Sequence, residues 1–437
     1  MKQQLHATLL AAAALSPFGF GLSASAAAAG SSEGEIPLIY GGLVFYDGMT
    51  GADYALCAID PTSNRPLRPV VAGVKADAGG VAVENTYYAA HETTVYAGGI
   101  EKTVAAYVSY STSDWSQTGK FNAPASCIAT DLAYDPVGKK AYGCFAVPVV
   151  VDESGGITGG GYLFSSISYP STAMTAIAKV SSGREWHAMA FSPEGQLYAI
   201  ILQGHWVTEY DYEYTKSTLC KVDKVTGEVV EVGDTGVIPD SSGSGAIDPV
   251  TGRFFWWVNN RQGGALYEVD LTTGHATKLY TAPRNEQFAG LYIPGVKSAK
   301  VPGRPVNLTA IFPMGQLSGT VSFTAPTSLY DGSASTGEVS YKVSCNGTVL
   351  ATGETSCGEA VSLDVTLPAD GDSGIEVVMS NADGEGPAAT HWIYAGNDTP
   401  LAPSNFKATY ADGNFSLSWD AVTQGVNGGY LDKEDVT

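Results

Sequence analysis

Asp135-Pro136-Val137-Gly138-Lys139-Lys140-Ala141-Tyr142, Ser192-Pro193-Glu194-Gly195-Gln196-Leu197-Tyr198 and Asp248-Pro249-Val250-Thr251-Gly252-Arg253-Phe254-Phe255 are three versions of one phrase. Their prolines stand 57 and 56 residues apart. Each phrase follows a short apolar run: Leu132-Ala133-Tyr134, Met189-Ala190-Phe191 and Gly245-Ala246-Ile247. A second phrase interleaves with the first, ending at Asp60, Asp223 and Asp270, and its last two versions continue into Thr226-Gly227 and Thr273-Gly274. Both phrases read as strand, tight turn, strand, with Pro, Gly and Asp supplying the turn. Two such hairpins in series make a four-stranded unit that cannot bury both faces alone. Self-similarity at this period points to radially stacked units, a β-propeller, with an array of β-sandwiches as the rival.

Working outward, strands are expected at 39–46, 54–60 and 67–72, then in units spanning 79–121, 128–180, 187–233 and 244–281. One strand is left over, 288–293, and the first unit lacks its innermost strand. Giving that strand to the first unit closes the ring and removes an exposed sheet edge. The expectation is an all-β chain with a five-bladed propeller over 37–295, six blades being the alternative. Trp256 and Trp257 read as core between blades.

The 437 residues exceed one ordinary domain, and 44% hydrophobic content suffices for packed cores. Twenty-three basic against 44 acidic residues leave a net charge of -21. That balance excludes nucleic acid or an anionic membrane surface as the main partner, since both need a basic footprint. Lys2, the apolar stretch 9–22 and the small-residue run 23–30 read as a secretory signal peptide over 1–29, too short for a membrane helix. No later segment is apolar enough to span a bilayer. The expected location is secreted or at the cell surface, and the propeller is expected to be monomeric.

After Pro294 the pattern changes. Seven short strands between 306 and 394 fit an immunoglobulin-like sandwich. Val377-Val378-Met379-Ser380-Asn381-Ala382-Asp383-Gly384-Glu385-Gly386-Pro387 resembles the end of a fibronectin type III module, here bounded at 303–397. Phe323 and Ile375 stand where that family carries tryptophan and tyrosine. Ala402-Pro403-Ser404-Asn405-Phe406-Lys407-Ala408-Thr409, with Trp419 further on, resembles the opening of another such module at 400–437. About 38 residues cannot bury a sandwich core, so this second module is expected to be incomplete and poorly ordered. The combination resembles the secreted propeller-plus-fibronectin proteins of Gram-negative anaerobic bacteria. That resemblance implies surface or extracellular binding.

Six cysteines in an exported chain invite pairing. Cys57 and Cys220 occupy equivalent repeat positions and are expected to stay apart, packed like small hydrophobes. Cys127 and Cys144 flank one hairpin about four residues out of register, leaving pairing open. Cys345 and Cys357 are the disulfide candidate. No metal-ligand spacing appears, and neither metal nor cofactor is expected. There is no His-Glu-x-x-His and no phosphate-binding loop signature. The Gly30–Gly34 match to the nucleophile-elbow pattern lacks the required strand and helix.

Inner-strand starts of a propeller surround its central channel, where ligands bind. Arg184, Glu185, Trp186 and His187 form the most suggestive cluster, with Arg284, Asn285 and Gln287 at the closing strand and Thr130 and Asp131 at the matching point of the third unit. A polar ring with one tryptophan suits a small-molecule or glycan site. The structural alternative is that these residues hydrogen-bond neighbouring blades. The segment from Trp206 through Glu209, Tyr210, Asp211, Tyr212, Glu213 and Tyr214 reads equally as a stacking loop or a strand with an acidic face. Two functions follow: an exported binding or adhesion protein with a protein or glycan ligand and fibronectin modules as spacers, or an extracellular hydrolase or lyase acting on glycan at the channel mouth.

Overall fold

A computed structural model of the protein describes residues 34–46, 52–97, 100–147, 150–151, 157–158, 161–181, 184–207, 212–260, 263–282 and 286–432. The signal-peptide reading at 1–29 lies outside them. The described chain is nearly all β, and its many four-stranded antiparallel sheets fit a β-propeller.

The first sheet holds β1 (Ile39–Tyr46), β2 (Ala52–Ile59) and β3 (Leu67–Ala72). The second holds β4 (Gly80–Val83), β5 (Thr86–Ala97), β6 (Ile100–Ser111) and β7 (Gln117–Pro124). The third begins with β8 (Ala129–Asp135) and β9 (Lys140–Ala146). A small hairpin of β10 (Val150–Val151) and β11 (Ile157–Thr158) intervenes before β12 (Tyr162–Ser168) and β13 (Ala173–Lys179) complete it. β14 (Arg184–Phe191), β15 (Leu197–Trp206), β16 (Tyr212–Val222) and β17 (Val229–Asp234) form the fourth. β18 (Gly243–Ile247), β19 (Phe254–Asn260), β20 (Gly263–Val269) and β21 (Ala276–Thr281) form the fifth.

The leftover strand, β22 (Glu286–Tyr292), pairs antiparallel with β1, Phe288 opposite Leu43, so the first sheet runs β22-β1-β2-β3. The innermost strands touch in cyclic order β22, β4, β8, β14, β18 and back to β22. The quoted phrases are the turns between first and second strands of the third, fourth and fifth sheets. Asp135 and Asp248 each accept the backbone N–H two residues on at 3.0 Å, an Asx turn that explains the preference for Asp before proline. The left-handed position falls on Lys139, Gly195 and Gly252 in the three turns. Gly138, read from sequence as the turn glycine of the first phrase, therefore does not occupy it.

β19 shows how the sheets pack. Phe254, Trp256 and Val258 face the core against the fourth sheet, while Phe255 and Trp257 face the core against the first, and all five are fully buried. Gly290 sits where β22 meets β4. Its φ is +61°, and a Cβ there would lie 2.5 Å from Gly80 N and 2.6 Å from Tyr87 Oη. We expect Gly290→Ala to lower stability by roughly 2–4 kcal/mol, since both backbone strain and a clash with main chain must be absorbed. Urea unfolding checks this, and a midpoint unchanged from wild type would show that β22 can shift to make room.

Beyond the ring, β23 (Val306–Ile311), β24 (Ser318–Thr324) and β27 (Ala360–Thr366) form one sheet. β25 (Glu338–Cys345), β26 (Thr348–Ser356), β28 (Gly371–Asn381), β29 (Gly384–Glu385) and β30 (Ala389–Ala395) form the other. Val321, Phe323, Val343, Ile375, Val377 and Met379 fill the space between them. β31 (Lys407–Ala411) and β32 (Asn414–Ser418) make a lone hairpin, every residue of it exposed.

The expected Cys345–Cys357 disulfide is not formed, and both thiols are free. Cys345 pairs with Thr348 at the turn end of the β25–β26 hairpin, whereas Cys357 follows Ser356, which pairs with Glu338 at the open end. Seven residue steps of strand, ~23 Å, separate the two ends, far beyond disulfide reach. Cys127 and Cys144 are also free and belong to different cores, on opposite faces of the third sheet. Cys57 and Cys220 are free and buried in β2 and β16, each the third strand of its sheet.

Candidate functional site

The residues expected to ring a channel mouth are, for the most part, bonded into the ring itself. Asp131 on β8 is 1% exposed. Its Oδ1 accepts the Ser244 hydroxyl at 2.8 Å, and its Oδ2 accepts Met189 N at 2.8 Å and Gly245 N at 3.0 Å. Ser244 in turn accepts Leu291 N at 2.9 Å. One carboxyl thus ties β8, β14 and β18 directly and β22 at one remove. Burial pushes this carboxyl up to about 7, the three donors opposing the shift.

His187 is also 1% exposed, with both ring nitrogens engaged. Nδ1 accepts the Trp256 indole N–H at 3.1 Å, which leaves Nε2–H to donate to the Ser241 carbonyl at 2.8 Å. That pair of bonds assigns the neutral Nε2–H tautomer. Burial lowers its pKa to about 4. Trp186 is buried against Phe164, ring centroids 4.9 Å apart, and its carbonyl accepts the Thr130 hydroxyl at 2.7 Å.

Asn259, which sequence reasoning missed, belongs to the same set. Its amide donates to Phe288 O at 2.8 Å and accepts Phe288 N at 2.9 Å, imitating a ladder pair between the fifth and first sheets. Tyr87 donates to Gly290 O at 2.7 Å, and Tyr107 to Cys127 O at 2.9 Å. The first–second, third–fourth, fourth–fifth and fifth–first junctions each carry a buried side-chain hydrogen bond between sheets, and Thr130, Asp131, Trp186 and His187 all take part in contacts between neighbouring sheets.

Arg184, Glu185 and Gln287 are less deeply buried. Arg184 reaches Glu231 at 3.4 Å and lines a depression of about 180 Å³ with Trp186 and Phe164. Glu185 accepts the Tyr214 hydroxyl, and burial raises its pKa. Gln287 is half-buried opposite Val44. Next to it, the Glu286 carboxyl is pushed up to about 7 by burial, and its Oε2 is buried without a partner. Arg284, Asn285, Glu209, Tyr210 and Asp211 lie outside the described residues, as do the side chains of Trp206 and Tyr212. Among the described residues no group of three or more His, Cys, Asp or Glu is placed to hold a metal ion.

A larger cavity, about 220 Å³, lies where the ring meets the sandwich. This junction is built from ion pairs and backbone bonds. Arg304 donates to Asp60 at 2.6 Å, to Thr62 and to Ile36 O, while its own backbone N–H donates to Glu35. Its Nε is buried without a partner. Tyr330 donates to Asp248 at 2.9 Å, joining a sandwich loop to the third quoted turn. Arg65 grips Asp372 through two bonds of 2.5 and 2.8 Å, and Asn64 exchanges two bonds with the backbone of Trp392. The guanidinium groups of Arg65 and Arg68 lie 4.8 and 5.5 Å from the Trp392 ring.

Among the described residues no helix is long and apolar enough to cross a membrane. No protein-family model matches the chain, and no curated protein matches it. Solved structures similar to it include 6-phosphogluconolactonase-like and other β-propeller folds. A putative 6-phosphogluconolactonase from Bacteroides fragilis is 11% identical with a TM-score of 0.31, over 59% of this chain and 97% of that one. The periplasmic gluconolactonase of Pseudomonas aeruginosa is 11% identical with a TM-score of 0.30, over 90% and 98%. The Bombyx mori GH32 β-fructofuranosidase is 9% identical with a TM-score of 0.30, over 73% and 86%. These likenesses concern the all-β fold and carry no activity to this chain.

Proposed function

We propose that this chain is an exported binding protein: a five-bladed propeller over 37–295, a fibronectin type III module over 303–397 and the opening of a second at 400–437. Its ligand, part of an extracellular protein or glycan, sits in the cleft between propeller and first module. One contrast carries this reading. Most of the polar groups at the inner strands are taken up by contacts within the ring, Glu286 Oε2 excepted, while the junction cleft is walled by arginines, an aromatic ring and prolines. Pre-formed concave sites with a few convergent polar groups are where ligands bind.

A second reading, an enzyme acting on glycan, draws on Glu286, a carboxyl raised to about 7 with an unpartnered oxygen near the start of the closing strand. One experiment separates them. The full chain is applied to arrays of glycans and extracellular proteins, with Ala388→Trp as the test variant because Ala388 is half-exposed and lines the cleft. Binding by wild type and its loss in Ala388→Trp, at an unchanged melting temperature, is the expected result. Release of product from a polysaccharide panel, abolished by Glu286→Gln and untouched by Ala388→Trp, would replace the binding reading with the enzymatic one.

A further inference from the structure

The charges around the junction cleft are unevenly satisfied. Three of the chain's seven arginines line it, Arg65, Arg68 and Arg304, against two acidic residues, Asp60 and Glu376. Arg65 is neutralised by Asp372 and Arg304 by Asp60. Arg68 and Glu376 remain. Among the described residues neither has an ion pair or a side-chain hydrogen bond, although both line the same cavity and both act electrostatically on Tyr40. Arg68 comes from β3 of the ring and Glu376 from β28 of the sandwich, so neither part presents both charges alone.

Both residues are half-buried, and a charge partly withdrawn from water without a countercharge costs free energy that a complementary ligand returns. An arginine fork matches a carboxylate through two parallel bonds. A carboxylate such as Glu376 accepts from an ammonium group. The cavity, about 220 Å³, equals about seven water volumes. That is room for a molecule carrying both charges and one modest side chain, with Trp392 and the surrounding prolines as apolar wall. We propose that the cleft binds a small zwitterion of amino-acid or dipeptide size, its carboxylate on Arg68 and its ammonium on Glu376. This rests on the cleft being the ligand site, and it replaces the protein or glycan ligand there by a free amino acid or short peptide.

The test titrates the full chain by calorimetry with free L-leucine, L-proline and leucyl-glycine, and with their N-acetyl and amide derivatives. Saturable binding of the free forms is expected, with derivatives lacking either charge at least about tenfold weaker, a difference of ~1.4 kcal/mol per lost contact. Arg68→Gln and Glu376→Gln should each weaken the free forms by a similar factor while leaving the derivative that lacks the matching charge unaffected. Equal binding of free and derivatised forms would overturn the proposal, as would no binding at all. If Ala388→Trp still blocks an array ligand in the latter case, the cleft reading stands and only the zwitterion falls. If Ala388→Trp blocks nothing, both fall. Should either glutamine variant fail to fold, the comparison of derivatives on wild type decides alone.

Discussion

Asp131→Asn will change how stability depends on pH, and it will do so by uncovering an opposing residue. In the fold the Asp131 carboxyl holds its proton up to about 7, whereas an unfolded aspartate releases it near 3.8. Between those values the folded state binds more protons, so stability is full at low pH and is lost as pH rises, by ~4 kcal/mol over the whole interval. His187 works in the other direction. Its folded pKa is about 4 against an ordinary 6.5, so the unfolded chain binds more protons, and stability is lost as pH falls through that interval, by ~3 kcal/mol. In wild type the two slopes oppose each other over nearly the same range. The amide introduced by Asp131→Asn keeps an acceptor for Met189 N and Gly245 N but cannot ionise. Urea midpoints of this variant should therefore rise relative to those of wild type from pH 4 to 6.5, while Glu286, whose carboxyl burial also pushes up to about 7, titrates alike in both proteins. Parallel profiles for the two proteins would show that this carboxyl does not titrate in the fold.

Arg304→Ala should uncouple the ring from the sandwich. The guanidinium is 6% exposed and pairs with Asp60, whose side chain is 12% exposed, so truncation strands a buried carboxylate and also removes the bonds to Thr62 and Ile36. Breaking a buried pair from one side costs ~3–5 kcal/mol. Calorimetry of the wild type should show the two parts melting together, and Arg304→Ala should split the trace into separate transitions with the ring melting earlier. A single transition at the wild-type temperature would mean that Arg65, Asn64 and Tyr330 suffice to hold the junction.

Much of the architecture was legible in the sequence because its causes are local. The aspartates before proline at 135 and 248 make Asx turns and Ser192 accepts Gln196 N in the remaining phrase, so the quoted phrases mark real turns. Trp256-Trp257 could be assigned to the core because a strand buried on both faces has no polar alternation. The pairing of 288–293 with the first sheet followed from counting, since one strand was left over and one place was empty. The candidate site was far less legible. Position in the repeat places Asp131 and His187 at inner-strand starts, but does not show that donors from Ser244, Gly245 and Trp256, 69 to 114 residues further on, meet them there. Arg68 and Trp392 stand 324 residues apart and share no motif. The Cys345–Cys357 expectation failed on register, because twelve residues in sequence became the full length of a hairpin.

The pairing of β1 with β22 also sets the path of mechanical load through the molecule. The two strands are antiparallel with Tyr40 opposite Tyr292, so the chain leaves both at the same end of the ladder. Tension between the N-terminal side and the sandwich would peel that ladder one bond at a time, the weakest direction for a β-pair. Glu35 stands in the way. Its carbonyl is held by Arg253 and its carboxylate by Arg304 N, and its own N–H donates to Tyr330 O. Load entering at residue 35 passes straight into the sandwich and the fifth sheet, and the seam that closes the ring carries none of it until that clasp gives way.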